Sequence, residues 1–475
     1  MKERYKIFSY GATCDDWYGR HKVKVMMPKS LADDKWLRQY KKAGFNLLFI
    51  SYAFQLNGIT DDFCESKLKK VMDLAWRKKL KCFIFEKNLH RLTSRKHSLI
   101  NAENADGYNT FVDETALESY IRKCLEQVMK HPAFIGVSVK DEPSYDMFTA
   151  YGQVYKILKK IMPSMHINAN IDMGLSEEKM IEEGKDLSNR FVVYKESLSL
   201  YSRSVKPSFI QFDCYPLRNK SDGEEFFPER NIVPYWIAVN CLVGDYCAEN
   251  DIPFSEVFQA SGFTCPAARW GCVAPRERDM YWQLNIAMSV GVSIFSYWTY
   301  FPVINTGGEY YDDESTIVDT FGRKNKLYYV LKRIHKKMQE IAGNLLDYKY
   351  CGAKIISAEN IAGDTKHIDF VNQQIQEGLI KTGEYQEIKA LSIDGNGAIL
   401  ITELHNKHND DVAYYFTNIT DPALENIQKV LVKFVGGKRI KPILNGRNSD
   451  CKLTGEEAVI SLSAGEGAFV RLLSV

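Results

Sequence analysis

Two consecutive carboxylates, Asp141 and Glu142, stand at the end of an apolar segment and are followed directly by Pro143. Residues 134–139 have the composition of a buried strand, and a proline ends a strand because it lacks the N–H that the next ladder bond requires. Side chains alternate along a strand, so the two acids face the same way only where the backbone is kinked, and we expect the proline to supply that kink. A carboxyl group so placed can act as a general acid in hydrolysis. The alternative is that the acids merely stabilise the start of a following helix.

Polar and aromatic side chains also stand in other apolar segments. They are Glu86, Asp213, Tyr215, Glu256, Gln259 and Trp298. Asp213 and Tyr215 are two residues apart and therefore share one face of a strand. Glu256 lies three residues before Gln259, apparently deep in its strand.

The segments that carry these residues alternate with longer amphipathic ones over the first ~340 residues. The predicted strands are residues 5–10, 45–52, 81–86, 134–139, 165–171, 209–215, 253–259 and 292–300. Between them lie helical patterns, such as Leu117, Ile121, Leu125 and Val128 on one face. Eight strands alternating with helices predict a parallel (β/α)8 TIM barrel, whose active sites form at the C-terminal strand ends. A doubly wound sheet is less favoured because residues 11–17 contain no GxGxxG motif.

The pattern changes after a helix near residues 323–342. The remaining chain has β-branched and aromatic runs separated by turns, which predicts an antiparallel β-sandwich with no helix beyond residue 360. The sequence Asp-Gly-Asn-Gly at 394–397 predicts a hairpin. We therefore expect a catalytic barrel over residues 1–347 and a C-terminal sandwich over residues 348–475.

The stretch Asp141-Glu142-Pro143 resembles the clan A glycoside hydrolases, and among them the β-galactosidase-like barrels. There the fourth strand ends in Asn-Glu, often followed by proline, and the glutamate is the general acid/base. The resemblance therefore implies that role for Glu142. It implies that Asp141 replaces the asparagine that binds a sugar hydroxyl.

The same resemblance gives roles to two aromatic residues. It implies that Tyr215 steadies a catalytic carboxylate and that Trp298 forms the floor of the sugar site. It implies a β-linked glycoside or oligosaccharide as substrate and no cofactor.

The seventh strand departs from that family, which places its nucleophilic glutamate at this strand end. Here the residue is Gln259, an amide that cannot act as a nucleophile, so we expect it to contact the sugar instead. The second carboxylate is then Asp213 or Glu256, with Glu86 a weaker candidate that we place in the sugar site. Asp213 is favoured because its parity with Tyr215 puts both at the mouth. An aspartate is also shorter than a glutamate, which leaves room for a water molecule and favours inversion, although retention stays open.

The overall composition excludes several function classes. The 62 basic and 60 acidic residues give a net charge of +2, which favours neither a nucleic acid nor a membrane as partner. Eleven cysteines without a CxxC pair and scattered histidines predict reduced thiols and no metal site. The N-terminus has no apolar signal segment, so we expect a cytoplasmic protein. Oligomeric state, including a homo-oligomer, is left open.

Two alternatives to a glycosidase remain at this stage. One is a catalytically impaired barrel that binds carbohydrate, which the missing strand-end glutamate favours. The other is an aldolase or a metal-dependent hydrolase. The sequence argues against both of these enzymes because it has no Schiff-base lysine at a strand end and no histidine cluster.

Overall fold

The computed structural model describes residues 4–10, 33–50, 67–92, 100–101, 110–111, 113–143, 147–171, 190–222, 225–265, 270–303 and 310–474. Within these residues eight parallel strands form one sheet, in the order β1-β8-β7-β6-β5-β4-β3-β2. They are β1 (Lys6–Ile7), β2 (Leu47–Ile50), β3 (Lys81–Phe85), β4 (Phe134–Asp141), β5 (His166–Ile171), β6 (Ile210–Asp213), β7 (Phe254–Gln259) and β8 (Val292–Trp298). The two edges meet where the Asn46 N–H donates to the Ile7 carbonyl at 3.0 Å. The predicted (β/α)8 barrel is therefore confirmed.

The inward-facing side chains change from apolar to polar along the strands. One end of the barrel is filled by Phe8, Phe49, Phe83, Phe85, Phe209 and Ile294. Two residues after Phe209 and Ile294 come Gln211 and Ser296, whose side chains are hydrogen-bonded at 3.0 Å. Two residues further come Asp213 and Trp298. Because alternate residues of a strand share a face, these last two lie at the C-terminal mouth of the barrel.

Ten α-helices are found in the described part of the chain. They are α1 (Asp34–Lys42), α2 (Lys67–Arg77), α3 (Lys87–Leu92), α4 (Glu114–Met129), α5 (Phe148–Ile161), α6 (Arg190–Val205), α7 (Trp236–Asn250), α8 (Glu277–Ser289), α9 (Lys326–Leu345) and α10 (Lys366–Gln376). In α4 the predicted apolar face is buried, and Asp113 caps the helix by accepting the N–H groups of Thr115 and Ala116. No helix among the described residues is long and apolar enough to cross a membrane.

A second, antiparallel sheet covers part of the barrel mouth and was not predicted. Its strands, in spatial order, are Glu225–Ile232, Leu217–Asp222, Trp270–Cys272, Phe263–Cys265 and Tyr310–Tyr311. They belong to the connections that follow β6, β7 and β8. Because these connections leave the C-terminal strand ends, we call this the mouth sheet. A shorter pair, Ile100–Asn101 with Thr110–Phe111, follows β3, and a 3₁₀-helix, Asp313–Ser315, precedes α9.

The C-terminal strands form two packed antiparallel sheets, so the predicted β-sandwich is confirmed. The strands are β9 (Tyr348–Ser357), β10 (Ile388–Asp394), β11 (Ala398–Asn406), β12 (Val412–Asn418), β13 (Ile427–Phe434), β14 (Lys438–Asn445), β15 (Asp450–Thr454), β16 (Glu457–Ser463) and β17 (Gly467–Ser474). One sheet has the order β9-β11-β12-β17-β14 and the other β10-β13-β16-β15. Side chains such as Ile401, Tyr414, Val430 and Ile460 are buried between them.

Two details of the sandwich prediction are wrong. Residues 394–397 do not close a hairpin, because β10 pairs with β13 while β11 pairs with β9 and β12, so this turn crosses between sheets. A helix, α10, also lies beyond residue 360. Its residues Ile368 and Val371 are fully buried in the core that continues into the barrel. The helix therefore packs at the junction of the two domains.

Buried polar side chains also join the barrel to the sandwich. Asn285 on α8 donates to the carbonyls of Asn445 at 3.1 Å and Gly465 at 2.8 Å. The hydroxyl of Tyr415 on β12 donates to Asn285 Oδ1 at 2.6 Å. One side chain of a barrel helix is thus hydrogen-bonded to three parts of the sandwich.

Candidate active site

The end of β4 presents Asp141 and Glu142 together because the backbone departs from regular strand geometry twice. The register with β5 shifts between Ser138 and Lys140, after which Asp141 pairs with Asn170. Glu142 then adopts a left-handed conformation with φ 46°. The expected kink therefore exists, but it lies in this bulge and at Glu142 itself rather than at Pro143. Both carboxylate side chains are exposed.

Asn170 on β5 holds this turned strand end in place. Its side-chain amide donates to Asp141 Oδ1 at 3.1 Å, and its carbonyl accepts the Glu142 N–H at 2.7 Å. Asn170 was not among the residues predicted for the site. It stands near the end of a predicted strand, so the same test of strand-end polar residues would have found it.

The end of β6 supplies a third carboxylate, Asp213, which is half-buried. The Tyr215 hydroxyl donates to its Oδ2 at 3.3 Å. Burial raises the pKa of the Tyr215 phenol well above its usual value, and the charges of Asp213, Tyr311 and Asp141 add to the effect. Tyr215 therefore stays protonated and remains a hydrogen-bond donor to the carboxylate.

Tyr10, which follows β1, lies within the electrostatic influence of both Asp141 and Asp213. Burial raises the pKa of its phenol well above the usual value, and the charges of Asp141 and then Asp213 raise it further. The centroid of its ring lies 6.2 Å from the centroid of the Trp298 ring. The ends of β1, β4, β6 and β8 therefore converge. Tyr10 was missed by the sequence analysis although it ends the first predicted strand.

An aromatic wall lines the β8 side of the mouth. Trp298 is half-buried, and its indole N–H donates to the Tyr311 hydroxyl at 2.6 Å. The Trp298–Thr299 peptide bond is cis. The ring of Tyr311, in the mouth sheet, stacks on Phe263 at 5.0 Å, and Phe263 in turn packs edge-on against Tyr215 at 6.1 Å. Such a surface is suited to the apolar face of a sugar ring.

Glu256 lies on the other side of its strand from the site. Its neighbour Ser255 accepts a hydrogen bond from Gln211 inside the barrel, so Glu256 faces outward to α7. There the Trp236 indole N–H donates to its Oε1 at 2.8 Å and Asn240 Nδ2 at 3.4 Å. Burial raises its pKa well above the usual value, with Asp213 acting in the same direction and the Asn240 and Trp236 bonds opposing. A carboxyl that faces the helices cannot attack a sugar at the mouth.

Gln259 and Glu86 are also engaged within the protein. The Gln259 amide accepts from the Leu217 N–H at 2.8 Å and donates to the carbonyls of Leu217 at 2.9 Å and Val273 at 2.7 Å. It is fully buried and ties β7 to the mouth sheet. Glu86 is fully buried as well, and its Oε2 accepts the Leu89 N–H at 2.6 Å at the start of α3. Neither geometry presents a side chain to a sugar.

The mouth thus combines three carboxylates, Asp141, Glu142 and Asp213, with protonated phenols and an aromatic wall. Among the residues that the structure describes, no group of three or more side chains could hold a metal ion. In this arrangement one carboxyl can donate a proton and another can activate a nucleophile.

Comparisons with known proteins agree with the fold. No protein-family model and no curated protein matches the sequence. A catalytic mutant of a GH42 β-galactosidase from G. stearothermophilus has a similar structure, with a TM-score of 0.53 and 9% identity over 99% of each chain. Weaker similarities include an Anoxybacillus α-amylase, with a TM-score of 0.47 and 11% identity over 99% of this chain and 98% of the other. The chain therefore shares its (β/α)8 fold with this β-galactosidase.

Proposed function

We propose that this protein hydrolyses an O-glycosidic bond, with Glu142 as proton donor and Asp213 as the second carboxylate. The observation that carries the proposal is the turned end of β4, which presents an exposed glutamate at the same mouth as the Asp213–Tyr215 pair. Two carboxylates around one mouth are what glycoside hydrolysis requires. The structural neighbour is a β-galactosidase, which favours a β-linked substrate.

Each side chain has a task in this reaction. Glu142 gives its proton to the leaving oxygen, and its exposure allows the substrate to reach it. Asp213 takes a proton from the attacking water, while the Tyr215 hydroxyl steadies the carboxylate. Trp298 supports the sugar ring, and Asp141, held by Asn170, accepts a bond from a sugar hydroxyl. With Glu256 facing away, Asp213 is the favoured partner of Glu142, and a base that activates water gives inversion.

A carbohydrate-binding barrel without catalysis is the second candidate, and Gln259 favours it. The amide stands at a strand end where the related enzymes carry a nucleophile, and its hydrogen bonds are all made within the protein. This candidate predicts binding of sugars with no turnover.

Hydrolysis of a panel of aryl β-glycosides separates the two functions. The wild-type protein should release the aryl alcohol from at least one member, and Glu142→Gln should release far less from poor leaving groups. Glu256→Gln is the matched control, since it makes the same atomic change in a barrel carboxyl that faces away from the mouth. Sugar binding without turnover by the wild-type protein would support the second candidate and refute the first.

A further inference from the structure

A chain of hydrogen bonds with a fixed direction crosses the barrel interior below the mouth. It starts at the backbone carbonyl of Glu256, which can only accept. The Ser296 hydroxyl donates to this carbonyl at 2.8 Å. Its single hydrogen is thereby used, so Ser296 must accept the bond that joins it to Gln211 at 3.0 Å. The atom of Gln211 that faces Ser296 is therefore the amide nitrogen, and the orientation of the amide is settled.

The oxygen of the same amide faces Tyr10. Gln211 Oε1 accepts from Asn168 Nδ2 at 2.5 Å and from the Tyr10 hydroxyl at 2.7 Å, while the second hydrogen of Nε2 is donated to Ser255 at 2.9 Å. Gln211 is fully buried, and both its hydrogens and both its acceptor positions are occupied. It connects β5, β6, β7 and β8 to Tyr10, which lies three residues after β1.

The consequence falls on Tyr10, because a phenol has only one hydrogen. That hydrogen is donated to Gln211, so the Tyr10 oxygen can only accept from any further partner. Tyr10 is half-buried beside Trp298, in the field of Asp141 and Asp213. To a ligand the Tyr10 hydroxyl therefore offers an acceptor and no donor, which selects a ligand group that can donate.

We propose that Tyr10 is a specificity-determining residue that accepts a hydrogen bond from a free hydroxyl group of the bound sugar, and that Gln211 is the positioning residue that fixes its direction. The proposal rests on the proposed function, which places a sugar at this mouth. The ligand is then a glycoside that presents an unsubstituted hydroxyl group to Tyr10. Glycosides with a deoxy or O-methyl group at that position lose the bond.

The test compares Tyr10→Phe with wild type on an aryl β-glycoside that the wild type hydrolyses and on its monodeoxy analogues. A neutral hydrogen bond is worth about 1 kcal/mol, so kcat/KM for the parent glycoside should fall about 5-fold. On one deoxy analogue the substitution should have no further effect, because the partner hydroxyl is already absent. An equal loss on the parent and on every analogue, or no loss at all, would overturn the proposal.

Two further variants separate positioning from folding. Gln211→Leu should reproduce the Tyr10→Phe pattern, because the phenol hydrogen can then turn towards the mouth. Tyr297→Phe is the control, since it also removes a tyrosine hydroxyl. That hydroxyl is hydrogen-bonded to His335 at 2.9 Å on the outer side of the barrel. The substitution should lower the melting temperature without changing the preference among analogues. A preference that changes equally in the Tyr297 variant would assign the effect to folding.

Calorimetric binding distinguishes failure of this proposal from failure of the proposed function. If the wild type hydrolyses no glycoside, the proposed function is refuted. Methyl β-glycosides and their deoxy analogues are then titrated into wild type and Tyr10→Phe. If Tyr10→Phe weakens binding of the parent sugar but not of one deoxy analogue, Tyr10 accepts a bond from that hydroxyl in a binding protein. If the substitution weakens binding of every sugar equally, or if no sugar binds, the role of Tyr10 is overturned.

Discussion

At the scale of single residues, Glu142 is one of five described non-glycine residues with a positive φ, and of these it alone stands at the C-terminal end of a barrel strand. A left-handed conformation costs a non-glycine residue about 1–2 kcal/mol, and φ 46° at Glu142 lies in that region. Such strain is often retained where it orients a functional side chain. Here it occurs at the C-terminal end of β4, next to Asp141.

This strain predicts that two variants of Glu142 differ in stability although both lose activity. Glu142→Gly should be more stable than Glu142→Ala by about 1 kcal/mol, because glycine adopts positive φ without steric cost. Both variants should lose activity on poor leaving groups, since both lack the carboxyl. Urea unfolding of the two variants measures the difference, and equal stabilities would show that the backbone at residue 142 is unstrained.

Asp213 is the residue on which the stereochemistry depends. If it activates water, Asp213→Asn should lower kcat by about 10²–10⁴. The first-formed sugar from the wild-type protein should have the inverted anomeric configuration, as recorded by NMR early in the reaction. Retained configuration together with an active Asp213→Asn variant would show that another group attacks the anomeric carbon.

At the scale of secondary-structure elements, apolar segments predicted all eight barrel strands because each is short, β-branched or aromatic, and bounded by polar residues. The direction in which a side chain faces was less predictable. Phe254, Ser255, Glu256 and Val257 show no clean alternation, since Ser255 faces a polar barrel interior and Glu256 faces a helix. The sequence therefore placed Glu256 among the catalytic candidates, and the mouth sheet, formed by short segments, was missed entirely.

The outward position of Glu256 predicts that it affects stability rather than catalysis. Its pKa is raised in the folded protein, so the folded state favours the protonated form, and stability is lost as the pH rises above the ordinary carboxyl pKa. Glu256→Gln should remove this loss and keep kcat within about two-fold of wild type. Urea unfolding of the variant and the wild type between about pH 5 and pH 8 measures the change in stability. A large loss of turnover in a folded Glu256→Gln variant would contradict the expected kcat.

At the scale of the whole molecule, barrel and sandwich share buried polar contacts that the sequence did not reveal, because they join residues distant in the chain. Asn285 on α8 is one such contact. Asp245 on α7 is another: it is only 6% exposed, and its Oδ2 accepts the N–H of Lys381 at 2.8 Å. Burial raises the pKa of Asp245 from 3.8 to about 7, partly opposed by Lys381.

This junction predicts a pH-dependent stability. The folded state binds the Asp245 proton more tightly than the unfolded state, so stability falls as the pH rises from about 4 to about 7. Asp245→Asn keeps an acceptor for Lys381 and should flatten this slope, with a gain of about 2–4 kcal/mol at neutral pH. Denaturant unfolding across that range measures it. An unchanged slope in the variant would show that Asp245 titrates alike in both states.

The most direct test of the proposed reaction is the dependence of Glu142→Gln on the leaving group. A glutamine cannot give a proton to the departing oxygen, which matters only where that oxygen is a poor leaving group. Turnover of an alkyl or unactivated aryl β-glycoside should fall by about 10²–10⁴, while a dinitrophenyl β-glycoside should be cleaved at nearly the wild-type rate. The same loss on both substrates, or full activity on the unactivated one, would show that Glu142 is not the proton donor.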